Sequence, residues 1–117
     1  PFEPSTLAEA AGIGALADKE FLHRSLEVNA RGLRLLEKSL VEMGLHVIPP
    51  EANFVMVELA SDAQAEQMTT DLLKRGIVIR PLKSFGLPRC VRISIGTDEE
   101  NRIAIEAIER VMDAARV

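Results

Sequence analysis

A stripe of residues spaced alternately four and three apart constrains this chain more than any other feature. Leu22, Leu26, Leu33, Leu36, Leu40 and Met43, interrupted by the polar Asn29, share one face of a helix. The spacing predicts a helix from about Lys19 to Met43. Asp18 stands where a cap accepts the first free amides, Glu20 lies near the positive end, and Gly44 supplies the stop. Asn29 reads as a hydrogen-bonded core or boundary residue, because buried polar groups find partners.

Three more helices announce themselves by their start signals. Thr6-Leu7-Ala8-Glu9, Ser61-Asp62-Ala63-Gln64 and Thr97-Asp98-Glu99-Glu100 each put a hydroxyl three residues before a Glu or Gln. In that spacing the hydroxyl caps the helix and the acid or amide returns to the cap. The Asp98, Glu99, Glu100 run is thus a helix start and not a catalytic carboxylate pair. The first helix, Thr6 to Ala17, is apolar with little polar face, which suggests a missing partner. The last carries Ala104, Ile108, Val111 and Ala115 as its inner face.

Strands are read between these helices. His46-Val47-Ile48 is closed by Pro49-Pro50, and Asn53 to Leu59 is rich in strand formers. A helix from Asp62 to Arg75 ends at Gly76, and Ile77 to Arg80 follows as a strand that Pro81 terminates. Val91 to Ile95 alternates, with Val91, Ile93 and Ile95 on one face and Arg92 and Ser94 on the other. The order is helix, helix, strand, strand, helix, strand, strand, helix. It predicts a two-layer α+β domain with a short, mostly antiparallel sheet covered by helices.

Length and composition bound the function. One domain spanning residues 1–117 is expected at this length. With 47% hydrophobic but only 3% aromatic residues, the core must be built from Leu, Ile, Val, Ala and Met. A net charge of -4, with Lys and Arg scattered among acids, argues against a nucleic-acid partner. No apolar run suits a membrane helix, no leader is visible, and the single Cys90 fits the cytosol. Cys90 reads as a small apolar residue. His23 and His46 are far apart with no ligand-spaced neighbours, so no metal site is expected. The start at Pro1, without Met, reads as a piece excised from a longer protein.

Arg92 and Arg80 are the residues on which chemistry depends. Both belong to strand segments, and two guanidinium groups on one sheet face suit a carboxylate or phosphate, gripped bidentately. On periodicity alone, two solvated surface arginines is the commoner outcome, and spacing does not decide between them.

The neighbouring residues carry a resemblance. Gly76 to Leu82, Phe85-Gly86-Leu87-Pro88 and Val91 to Asn101 together look like the final motif of the histidinol-phosphate aminotransferases, fold-type I enzymes dependent on pyridoxal 5'-phosphate (PLP). Glu51-Ala52-Asn53-Phe54-Val55 and Pro1-Phe2 with Leu7 to Ala11 are similar to earlier stretches of that family, so the likeness covers nearly the whole chain. It implies that this is a C-terminal small domain and that the large PLP-binding domain lies N-terminal to Pro1. It implies that Arg92 binds the α-carboxylate of glutamate or 2-oxoglutarate and, in the same place, the phosphate of histidinol phosphate. Arg80 is implied as a second arginine at the substrate's anionic end. A homodimer is implied as well. None of Lys19, Lys38, Lys74 and Lys83 stands in the Ser-Lys context that holds PLP, so the chain is expected to supply no catalytic and no cofactor-binding residue. Glu3 departs from the family's small polar residue and receives no role. Read without the resemblance, the same arginines fit a free-standing regulatory module for an anionic metabolite, or a structural association domain.

Overall fold

The computed structural model describes residues 3–116. The chain order is α1 (Thr6–Ala17), α2 (Lys19–Glu42), β1 (His46–Ile48), β2 (Phe54–Glu58), α3 (Asp62–Lys74), β3 (Arg80–Pro81), a 3₁₀ turn (Lys83–Phe85), β4 (Cys90–Ser94) and α4 (Asp98–Arg116). The strands form one sheet in the order β1-β2-β4-β3, antiparallel throughout. The fold is α+β in two layers, as expected.

Alternation in the two central strands decides which face is buried. Val55 and Val57 of β2 and Val91 and Ile93 of β4 point into the core. There they meet Leu36 and Leu40 of α2, Ala65, Met68 and Leu72 of α3, and Ile108 and Val111 of α4. Each large aliphatic side chain removed from water here contributes about 1.5–3 kcal/mol. The opposite sheet face, bearing Phe54, Met56, Arg92 and Arg80, is not part of this core.

Several expectations need correction. The cap of α1 is Ser5, whose Oγ accepts from the Ala8 amide at 3.2 Å, so the signal lies one residue before Thr6. The α2 stripe is only half used. Leu36 and Leu40 are fully buried, whereas Leu22 and Leu26 are 56% and 59% exposed, because the first turns of α2 run past the sheet. The third strand is confined to Arg80–Pro81 and Pro81 lies within it. The Ile77 amide donates to the Leu72 carbonyl across the left-handed Gly76, closing α3, so this backbone is unavailable for pairing. Pro81 is tolerated because β3 is an edge strand. The Leu82 amide donates to the Cys90 carbonyl, and alternation then turns the Pro81 nitrogen outward. The Ala115 side chain and the Pro1-Phe2 pair lie outside the described residues.

The other start signals are found where expected. Asp18 accepts from the Phe21 amide at 2.9 Å, and Ser61 from the Gln64 amide at 3.2 Å. Thr97 and Glu100 form the full reciprocal box, at 2.7 Å and 3.3 Å. Asn29 donates to the Ala52 carbonyl at 3.2 Å, tying α2 to the approach of β2.

Candidate functional site

The register of the sheet creates the site. Arg80 of β3 is the direct cross-strand partner of Arg92 of β4, which in turn faces Met56 of β2. Directly opposed residues share a sheet face, so both guanidinium groups rise from the face away from the helices. Arg92 is half-buried and Arg80 exposed. Neither pairs with a carboxylate among the described residues. Like charges directly opposed across a strand pair are unfavourable alone, and an anion bound between them reverses the sign.

Two aromatic rings flank the pair. The Arg92 Cζ lies 5.2 Å from the centroid of the Phe54 ring, and the Arg80 Cζ lies 5.0 Å from that of Phe85. Each is within cation–π range, worth about 0.5–1 kcal/mol when exposed and about 2 when desolvated. Phe54 sits opposite Ser94, diagonal to Arg92, a spacing that aromatic and long side chains can span. Phe85 ends the 3₁₀ turn, closed by its amide donating to the Leu82 carbonyl and by left-handed Gly86. The Arg92 Nε is buried and without a hydrogen-bond partner.

Sequence reasoning raised Arg80 and Arg92 on one sheet face as a candidate without deciding it, and assigned no part to either ring. The signal for Phe54 was present, since it alternates with Val55 and Val57 and must face away from the core. No local pattern announces Phe85, whose placement depends on the turn.

Lys83 belongs to the scaffold. Its Nζ is 2.6 Å from Glu66 of α3, and this hydrogen bond, with the attraction of the same charge, holds the amine above its ordinary range. A Schiff-base lysine needs the opposite direction. All four lysines of the chain are exposed. The chain's own residues therefore do not fit PLP attachment.

The end of β4 is held from behind. Asn101 is 2% exposed and uses both ends of its amide on one residue, accepting from the Gly96 amide at 2.9 Å and donating to the Gly96 carbonyl at 3.1 Å. Gly32 lets α2 approach this junction, because a Cβ there would collide with Ile95 and come within 2.8 Å of the Asn101 Nδ2.

The remaining candidates fall away from the arginines. His23 pairs with Glu27 along α2. His46 and Arg89 both contact Glu58, at 3.1 Å and 2.7 Å. Cys90 is buried, and burial foremost, then the Glu58 charge, pushes its thiol up, away from nucleophilic use. No group of three metal-ligating side chains occurs among the described residues. A groove of about 810 Å³ lies beside α3 and α4, lined in part by His46, Glu58, Arg89, Leu45, Met68 and Met112. Its His46, Glu58 and Arg89 satisfy one another, and neither arginine of the pair lines it. We place the candidate site at the unpaired guanidinium groups instead.

The chain resembles known proteins over nearly its whole length. The model of the family described as aminotransferase class I and II matches residues 1–108. The chain is 42% identical over 116 residues to histidinol-phosphate aminotransferase 2 of Ralstonia nicotianae, covering 98% of the chain and 31% of that protein. It is 43% identical over 115 residues to the histidinol-phosphate aminotransferase of Nitratidesulfovibrio vulgaris, covering 98% and 30%. Its fold superposes with a TM-score of 0.86 on the histidinol-phosphate aminotransferase of Sinorhizobium meliloti in complex with pyridoxal 5'-phosphate, at 31% identity, covering 97% of this chain and 32% of that one. The chain thus spans about a third of the length of these relatives. No helix among the described residues is long and apolar enough to cross a membrane.

Proposed function

The chain belongs to the class I and II aminotransferase family, and from that premise we propose that it is the C-terminal substrate-clamping domain of a histidinol-phosphate:2-oxoglutarate aminotransferase. The carrying observation is the cross-strand pair Arg80–Arg92, without a carboxylate partner among the described residues and ring-backed on the sheet face away from the core. Two adjacent cations match the α-carboxylate of glutamate or 2-oxoglutarate, and the phosphate of histidinol phosphate, by the same fork geometry. The names of the relatives at 42% and 43% identity favour this enzyme over a free-standing anion-binding module.

In this reading the domain is one unit, 1–117, and the large domain that holds PLP is N-terminal to it. The cofactor supplies the electron sink of transamination. The residues of this chain bind and orient the anionic end of the substrate, so that its reacting carbon meets the cofactor in a fixed pose. All four lysines of the chain are exposed, and Lys38, Lys74 and Lys83 are ion-paired, which supports an attachment lysine located elsewhere. The reading carries with it a homodimer in the cytosol, with small-molecule substrates and no nucleic-acid or membrane partner.

The test is turnover of histidinol phosphate with 2-oxoglutarate by the full-length protein and by Arg92→Ala. A fall in kcat/KM of roughly tenfold or more is expected, about 1.4 kcal/mol of lost transition-state binding. A wild-type protein that ignores histidinol phosphate but transaminates another acid would remove this substrate and keep the family. An Arg92→Ala variant as active as wild type would remove the clamp.

A further inference from the structure

Resting on the reading that Arg80 and Arg92 hold the substrate's anionic end, we propose that Phe54 and Phe85 are positioning residues that pre-orient the two guanidinium groups. An arginine side chain on an open sheet face samples many rotamers, and ordering it on binding weakens affinity. A ring against the flat face of the guanidinium removes that freedom and leaves the N–H edge turned towards a carboxylate or phosphate. The two cation–π contacts are alike, with Cζ-to-centroid distances of 5.2 Å for Arg92 over Phe54 and 5.0 Å for Arg80 over Phe85.

The rings come from different elements, which makes the arrangement more than a consequence of one strand. Phe54 is fixed by the β2–β4 register, whereas Phe85 is carried by the turn after β3. That turn is pinned to α3 by the Lys83–Glu66 ion pair at 2.6 Å. Phe85 is 60% exposed, which leaves its ring accessible to the Arg80 guanidinium. The buried Nε of Arg92 has no hydrogen-bond partner, and the Phe54 ring supplies part of the interaction that water would otherwise give this cation.

The experiment uses the full-length holoenzyme carrying Phe54→Leu, Phe85→Leu, Phe54→Tyr or Phe85→Tyr, with Arg92→Ala as reference. It measures KM for 2-oxoglutarate, kcat, the Kd of the unreactive dicarboxylate glutarate by calorimetry, and the PLP absorbance spectrum. Each Leu variant is expected to raise KM and Kd roughly fivefold, with kcat changed less than twofold and the spectrum unaltered. Each Tyr variant, which keeps the ring face, restores wild-type values. Leu variants with unchanged KM and Kd, beside an Arg92→Ala that raises both, would overturn the positioning role and leave the clamp standing. Tyr variants as weak as Leu, or an altered cofactor spectrum, would also overturn it. Should Arg92→Ala itself leave both constants unchanged, the clamp fails and the positioning role with it.

Discussion

Arg92 shows how far one residue can be read before its neighbours are known. Its place opposite Val91 and Ile93 follows from strand alternation, and both of those are buried as required. Its pairing with Arg80 does not follow, because register is set between strands and is invisible along one. The segment Ile77 to Arg80 even looked like a longer strand, in which Arg80 had no defined partner. Fork geometry makes the residue type matter beyond its charge. Arg92→Lys keeps the cation but loses the planar, bidentate face, so KM for 2-oxoglutarate should rise about three- to tenfold, less than in Arg92→Ala. Steady-state kinetics of the three proteins checks the ranking. Lysine equal to arginine would mean that charge alone suffices.

Among the elements, the β4–α4 junction has the closest fit between sequence signal and structure. The Thr97–Glu100 box was legible and is present in full. Thr97 amide donation foremost, then its hydroxyl, holds the Glu100 carboxyl below its ordinary value of 4.5. A depressed folded-state value contributes stability that is present above 4.5 and is lost as pH falls through the depressed value. Acid unfolding of Glu100→Gln should therefore depend less on pH in that range than wild type does; an identical dependence would remove the role. The partner residues were not legible. Asn101 is an ordinary helix residue by pattern, and Gly32 an unremarked gap in a helix, yet the first saturates both polar groups of Gly96 and the second admits the contact. Asn101→Leu leaves the Gly96 groups without partners and should cost about 2–3 kcal/mol. Gly32→Ala gains up to about 1 kcal/mol of helix propensity, but overpacking costs about 1–3 kcal/mol, so a net loss is expected. Urea denaturation measures both, and a stabilised Gly32→Ala would show that α2 can shift.

At the scale of the molecule the fold is more elongated than its core requires. The radius of gyration is 16.6 Å, with extents of 53 × 33 × 25 Å, against about 13 Å for a compact domain of this length. The excess comes with α1, which buries no residue and exposes Leu7 at 84%, Ile13 at 66% and Leu16 at 85%. Phe21, Leu22 and Leu26 extend the apolar surface onto α2. Periodicity identified a helical face but not what it packs against. If the large domain covers this arm, α1 amides should exchange with solvent about tenfold or more faster in the isolated chain than in the full-length protein. Equal exchange rates by mass spectrometry would leave the arm without a partner in the whole enzyme. The central claim, that Arg80 and Arg92 form one anion clamp, is tested most directly by a crystal structure of the full-length PLP enzyme with glutarate bound. The account expects one carboxylate between the two guanidinium groups, within hydrogen-bond distance of both, with Phe54 and Phe85 still against their faces. A carboxylate held elsewhere, with both arginines turned to solvent, would contradict it.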